Sequence, residues 1–247
     1  MDKNASMLHS KLFSLEIIHK GAATLQHAIK EKGDGDREWK EYFPNHFIYA
    51  YFAFNTLYNY DWENSYKSGD LKLIPKRRLY DENKRPYYKE EEEKTKQEMY
   101  LRFCFQDKAF VQLYKDFFIK FVVGDSTKED IQSILTGIRI DDIPKGSVRT
   151  REYIRAFQIS IDDLLFRGQF DRGTITKILG FIYSVRCNIF HGVKSISDMK
   201  NYEQQYRLDI YASIIVALNQ MVFSYLDYLN NGKSIRDGFE RLYTELY

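Results

Sequence analysis

Leu208-Asp209-Ile210-Tyr211-Ala212-Ser213-Ile214-Ile215-Val216-Ala217-Leu218-Asn219-Gln220-Met221-Val222-Phe223-Ser224-Tyr225-Leu226-Asp227-Tyr228-Leu229 is the stretch on which the fold turns. Leu208, Tyr211, Ile215, Leu218, Val222, Tyr225 and Leu229 recur at alternating steps of three and four residues. That spacing lines them up on one stripe of a helix and favours near-antiparallel packing against other helices. Two more segments carry the same period: Leu8, Leu15, Ile18, Ala22, Leu25 and Ile29, then Tyr100, Phe103, Phe110, Tyr114, Phe117 and Phe121, with Asp107 as the one polar interruption. A fourth helix is expected over about 45–60 and a fifth over about 174–191. No segment alternates convincingly as a strand, so the expectation is all-α, an up-and-down helical bundle with extra helices.

Punctuation agrees with this reading. Lys32-Gly33-Asp34-Gly35-Asp36 ends the first helix. Ser126 with Glu129 reads as a capping box, and Gly137 stops the short helix that follows. Pro144-Lys145-Gly146 is a loop, Gly173-Thr174 opens the fifth helix and Gly192 closes it.

Length and composition bound the rest. The 247 residues suffice for one large domain with a sizeable insertion. Apolar residues make up 44 % and charged residues 29 %, as in an ordinary globular chain. Only 4 prolines and 13 glycines occur, a shortage that helices tolerate best. A formal charge of +2 leaves any polyanion partner to local patches. Cys104 and Cys187 offer neither a disulfide framework nor a four-thiolate zinc site. The start, MDKNASMLHSKLF, lacks the apolar core of a secretory signal. No apolar run reaches the roughly 18 residues of a membrane span, so no membrane is expected and the cytoplasm follows by elimination.

We read 1–247 as a single domain carrying a charged insertion at about 61–98. From Lys72 to Lys89 the insertion holds seven basic residues (Lys72, Lys76, Arg77, Arg78, Lys84, Arg85, Lys89) and two acidic ones, interleaved with Tyr80, Tyr87 and Tyr88. Lys and Arg among aromatic rings is what a single-stranded nucleic acid groove uses. The alternative is a solvated loop running into a helix whose acidic first turn, Glu90 to Glu93, suits the helix dipole.

The chemistry concentrates in Phe181-Ile182-Tyr183-Ser184-Val185-Arg186-Cys187-Asn188-Ile189-Phe190-His191-Gly192. On a helix, Ile175, Ile178, Leu179, Ile182, Val185 and Ile189 form one apolar face, and Arg186 falls inside it, about 20° from Ile175. A guanidinium there must be paired or must face a wet cleft. One reading is therefore a structural ion pair with an Asp or Glu from another helix, His191 merely capping the helix end. Asn188 precedes His191 by three residues and shares its side of the helix.

Arg186-Cys187-Asn188-Ile189-Phe190-His191 resembles the signature of the HEPN superfamily (the higher eukaryote and prokaryote nucleotide-binding domain), an Arg and a His separated by four to six residues with a polar residue soon after the Arg. The wording Tyr183-Ser184-Val185-Arg186 and Phe190-His191-Gly192-Val193-Lys194-Ser195, and the long apolar helix after it, are similar to uncharacterised bacterial members. The resemblance covers 170–230 and, more loosely, 45–62. It implies a helical bundle that forms a homodimer with two Arg/His pairs facing one cleft. Many such proteins are ribonucleases, several acting as toxins or in antiviral defence; others only bind nucleotides or partners. Arg186, His191 and Asn188 become the expected catalytic residues of metal-independent RNA cleavage. RNA is the expected partner, with a cognate antitoxin or regulatory protein as a further one, and no cofactor or metal is expected. Lys194 and Ser195, just past Gly192, are further candidates for RNA contact, as are Asn55 and, from the basic stretch, Lys76, Arg77 and Arg78.

Other candidates carry less. Asn55 and Asn59 share a stripe with Ile48, Phe52 and Trp62, so their amides must find partners across the bundle or line the cleft beside Arg186. Glu16 and His19 form one Glu-x-x-His, and a di-iron bundle needs a second copy. Cys187 reads as packing.

Overall fold

The computed structural model describes residues 3–10, 43–137, 148–190 and 202–231. Its axis is the helix Tyr202–Asn230, in which every side chain from Ile210 to Leu226 is buried. The expected stripe is thus wider than a stripe, because a helix that is apolar all round has to be covered all round. By length and composition this helix passes as a membrane span, contrary to the expectation that no segment would. Nearly all of its apolar window is buried inside the protein.

The elements in chain order are α1 (Lys3–Ser10), α2 (Phe43–Tyr58), α3 (Trp62–Ser68), strands β1 (Arg77–Tyr80) and β2 (Pro86–Lys89), α4 (Glu93–Cys104), α5 (Lys108–Val123), α6 (Lys128–Thr136), α7 (Val148–Leu165), α8 (Arg172–Phe190) and α9 (Tyr202–Asn230). The protein is an all-α helical bundle with one small hairpin among its described residues. Helix α2 packs along α9 most extensively, with α5 and α1 on its other sides, and α7 and α8 pack on each other. Phe157 of α7 stacks on Phe181 of α8 at 4.2 Å between centroids, and both rings meet Tyr211 of α9 edge-on at 5.9 and 5.8 Å. Such pairs add about 0.5–1.5 kcal/mol to the area that they bury.

Several polar groups inside the bundle find partners, although His46 Nε2 and Asn219 Oδ1 are buried without one among the described residues. The Tyr100 hydroxyl donates to the Leu218 carbonyl, and Tyr114 donates to Ala217 at 2.7 Å. Burial pushes both hydroxyls well above the usual tyrosine range. His46 Nδ1 lies 3.1 Å from Asp209 Oδ1, and Asn219 donates to the Ala50 carbonyl at 3.2 Å. Arg207 and Gln158 donate to the Ile134 and Thr136 carbonyls at 2.9 Å each, satisfying acceptors at the C-terminus of α6.

Several expectations are corrected. The stripe over 100–121 is two helices, not one. Asp107 is the N-cap of α5, its carboxylate accepting from the Ala109 and Phe110 amides at 2.9 and 3.1 Å. Its buried face then runs Phe110, Tyr114, Phe118, Val122, so Phe117 and Phe121 are only half-buried. The capping box of α6 sits one residue later than expected, between Thr127 and Asp130. Helices α3 and α7 are additions to the sequence reading. In α2 the buried face is Phe47, Ala50, Tyr51, Phe54, Leu57 and Tyr58, while Phe52 is 46 % exposed; Ile48, Phe52 and Asn55 are therefore the margin of the helix, Asn59 lies just past its end, and Trp62, expected on the same stripe, is buried at the start of α3. The first helix beyond Ser10, with Glu16 and His19, the Lys32–Asp36 break, Pro144-Lys145-Gly146 and Gly192 lie outside the described residues.

The insertion is neither a plain loop nor wholly helical. Asp61 caps α3 and Gly69 ends it at φ 68°, a left-handed position where an added Cβ would also come within 3.2 Å of Met7 Cβ. The chain then returns along the corner between α2 and α3 through a Tyr60–Leu73 bridge and an Ile74 amide bond to the Asn59 carbonyl. Beyond it β1 and β2 pair antiparallel, Arg77 opposite Lys89, Arg78 opposite Tyr88, Leu79 opposite Tyr87 and Tyr80 opposite Pro86. Asp81 organises the turn by accepting from the Asn83 and Arg85 amides at 2.9 and 2.7 Å. Lys84 takes the positive φ of 58° that the turn needs.

Candidate functional site

Arg186 lies in the last turn and a half of α8, where the apolar face Ile175, Ile178, Leu179 and Ile182 gives way to half-buried Val185 and Ile189. Its side chain is 23 % exposed, and its Nη1 lies 3.9 Å from Glu93 Oε2, at the start of α4. The Arg186 guanidinium sits over the ring of Tyr51 at 5.5 Å and that of Tyr183 at 5.9 Å, distances at which cation–π attraction operates. Nη1 also lies 3.9 Å from the Cys187 sulfur. Both options open in the sequence are thus partly realised: Arg186 has a carboxylate partner from another helix, and the pair stays in contact with solvent.

Glu93 is the hub of this cluster. Its Oε1 accepts hydrogen bonds from Tyr58 and, at 3.2 Å, from Tyr51, whose hydroxyl in turn accepts from Gln97 at 3.1 Å. Burial, then the neighbouring carboxylate, pushes the Tyr51 and Tyr58 hydroxyls far above the usual tyrosine range, so both are fixed as donors to Glu93. Tyr183 is pushed up to about 12, by burial first and by its contact with Cys187 next. For Arg186 burial works towards a lower pKa, but the Cys187 sulfur and Glu93 outweigh it and hold the guanidinium above its usual value. The group is a permanent cation on an aromatic bed, steered by a carboxylate that two hydroxyls orient. Chemically it can hold an anionic oxygen at its exposed edge.

The root of the hairpin adjoins this cluster along α4. Glu90 lies 3.4 Å from Lys76 and 3.8 Å from Lys96, and Lys96 donates to Asn59 Oδ1 at 2.7 Å. Asn59 donates to Asn55 Oδ1 at 3.1 Å, so the two amides pair at the C-terminal end of α2 and reach across to α4 through Lys96. Lys76, Asn55 and the Arg186 cluster are therefore all tied to the first turn of α4. Arg77 and Arg78 are exposed on β1. Asn188 lies in α8, but its side chain, together with His191, Lys194 and Ser195, is outside the described residues. Cys187, expected only to pack, is half-buried against Arg186.

Sequence reasoning missed Glu93, Tyr51, Tyr58 and Gln97. The Glu90–Glu93 run was legible as a helix start favoured by the dipole, but not as the partner of Arg186. The need for a carboxylate was legible; which one it was depended on how α4 and α8 meet. Comparison of the chain with family models, with curated proteins and with solved structures gave no match.

Proposed function

We propose that the protein is a metal-independent endoribonuclease of HEPN type, in which Arg186 holds the scissile phosphate and His191 moves the protons. The observation that carries this reading is the part-exposed guanidinium of Arg186, held on aromatic rings near the C-terminus of α8 and five residues before His191 in the sequence. RNA carries its own nucleophile. The 2′-oxygen forms a bond to phosphorus, the bond from phosphorus to the 5′-oxygen breaks, and a 2′,3′-cyclic phosphate and a 5′-hydroxyl result. His191 takes the 2′ proton and His191 of the partner subunit gives one to the departing 5′-oxygen, since one chain supplies only one such histidine. Imidazoles titrate near neutrality and suit both tasks, and positioned acid–base groups contribute roughly 10²–10⁴-fold. Arg186 would stabilise charge growing on the phosphate, with Glu93, Tyr51 and Tyr58 as its positioning residues. Asn188, Lys194 and Ser195 are assigned to orienting the phosphate.

The Glu93–Arg186 pair also favours a second reading, a non-catalytic binding module of the same type, because a cation already paired with a carboxylate can recognise nucleotide, RNA or a protein partner without stabilising charge that grows in a reaction. Purified protein incubated with labelled mixed-sequence RNA in EDTA, with His191→Ala alongside, separates the two. Cleavage by the wild type alone, leaving cyclic phosphate ends, supports the nuclease. No cleavage by either from folded, dimeric protein leaves the binding module.

A further inference from the structure

We infer that the β1–β2 hairpin is a binding arm for single-stranded RNA, with Arg78, Tyr80 and Tyr88 forming its contact face. Cross-strand partners share a face, as do residues two apart on one strand. The register therefore gathers Arg78, Tyr80, Pro86 and Tyr88 on one side and Arg77, Leu79, Tyr87 and Lys89 on the other. Leu79 is the one half-buried residue of either strand, so the Arg78–Tyr80–Tyr88 side looks outward. Tyr80 is 61 % and Tyr88 65 % exposed, and the Arg78 guanidinium lies over the Tyr80 ring at 5.5 Å.

Neither ring belongs to the buried core. A two-stranded ribbon gains little stability by itself, and its rings contribute no core. The charge names the partner's sign: seven basic residues stand against two acidic ones from Lys72 to Lys89, Glu90 at the root pairs with Lys76 and leaves the two strands themselves basic, and the carboxylate of Asp81 is engaged within the turn. Fixed cations meet phosphates, and ring faces meet unstacked bases. In a duplex the base faces are stacked inside, so two outward tyrosines favour an unpaired strand. A second copy of the arm would oppose like charge with like charge, and Pro86 removes a donor from the free edge of β2. The arm also leads somewhere. Lys89 ends β2 four residues before Glu93, the carboxylate that holds Arg186, and Lys76 and Lys96 flank Glu90 between them. A strand lying on the arm would be carried towards the Arg186 cluster.

The inference rests on the cleavage reading for the sugar of its ligand, but the binding is measured separately. A short fluorescent 2′-O-methyl oligoribonucleotide, which lacks the nucleophile and survives, is titrated with the full chain, single-stranded and as a duplex of the same sequence. The single strand should bind roughly tenfold tighter, and Tyr80→Ala/Tyr88→Ala should weaken it by about ten- to a hundredfold, while Tyr80→Phe/Tyr88→Phe should bind as the wild type does. Circular dichroism checks that each variant is folded. Equal affinity for the duplex, unchanged affinity of the alanine variant, or no binding at low salt would overturn the arm. RNA cleavage that survives His191→Ala would sink the nuclease reading and leave the arm intact.

Discussion

Helix α9 and the β1–β2 hairpin treat their aromatic residues in opposite ways. On α9, Tyr211, Phe223, Tyr225 and Tyr228 are buried, and Tyr225 and Tyr228 meet Phe110 at 4.8 and 5.4 Å. On the hairpin, Tyr80, Tyr87 and Tyr88 keep between 46 % and 65 % of their surface in water. The same residue type therefore carries two meanings. Inside the bundle a tyrosine is a large apolar ring whose hydroxyl must be satisfied. On the hairpin it fills no core, and the RNA strand proposed above is the reason offered for it.

The largest expected contrast is in stability. Phe110→Ala should cost about 3–5 kcal/mol in denaturant unfolding, as deletions of buried rings do. Tyr80→Ala should stay within about 0.5 kcal/mol. A hairpin substitution as costly as the core one would erase the distinction.

Alkaline titration sharpens it next. Tyr225 and Tyr183 are raised from 10.0 to about 12, and Tyr51, Tyr58, Tyr100, Tyr114 and Tyr211 are raised as well, burial leading in every case. A raised folded-state pKa means that the neutral form is preferred in the fold. The stability so gained is whole below pH 10 and is lost as pH rises towards 12 and beyond. Unfolding followed by tyrosinate absorbance should thus begin above pH 10 as a cooperative step; gradual, non-cooperative titration would contradict the buried network.

The Arg186–Glu93 pair lies between the two regions in character, each side chain about a quarter exposed. A double-mutant cycle with Arg186→Ala and Glu93→Gln should give a coupling of at most about 1 kcal/mol. A coupling of about 3 kcal/mol or more would mark Arg186 as a structural ion pair and weaken its assignment to phosphate.

The smallest effect is expected at the hairpin turn. Lys84 occupies φ 58°, which costs a side-chain-bearing residue roughly 1 kcal/mol. Lys84→Gly should slow hydrogen exchange of the hairpin amides and leave global unfolding unchanged; faster exchange would mean that the turn needs the lysine.

The hairpin was illegible for the same reason that makes it interesting. A half-buried strand announces itself by alternation, whereas here all residues of β2 and three of β1 are exposed, so no in–out period arises. Lys84 also fills the slot where glycine or asparagine would have signalled a turn. Asp107 was visible as an interruption, but its reach to the Ala109 and Phe110 amides was needed to show that it starts a new helix.

What the sequence by itself determined is the helical class, the central place of 208–229 and the presence of a costly cation on an apolar face. Those follow from periodicity and from the expense of burying charge, both local properties of the chain. Only the tertiary structure decided that Glu93, with Tyr51 and Tyr58 behind it, answers that cation, and that the basic stretch stands beside it as a paired ribbon. Residues 51, 93 and 186 meet because α2, α4 and α8 converge, and no local pattern encodes which carboxylate a distant arginine will find.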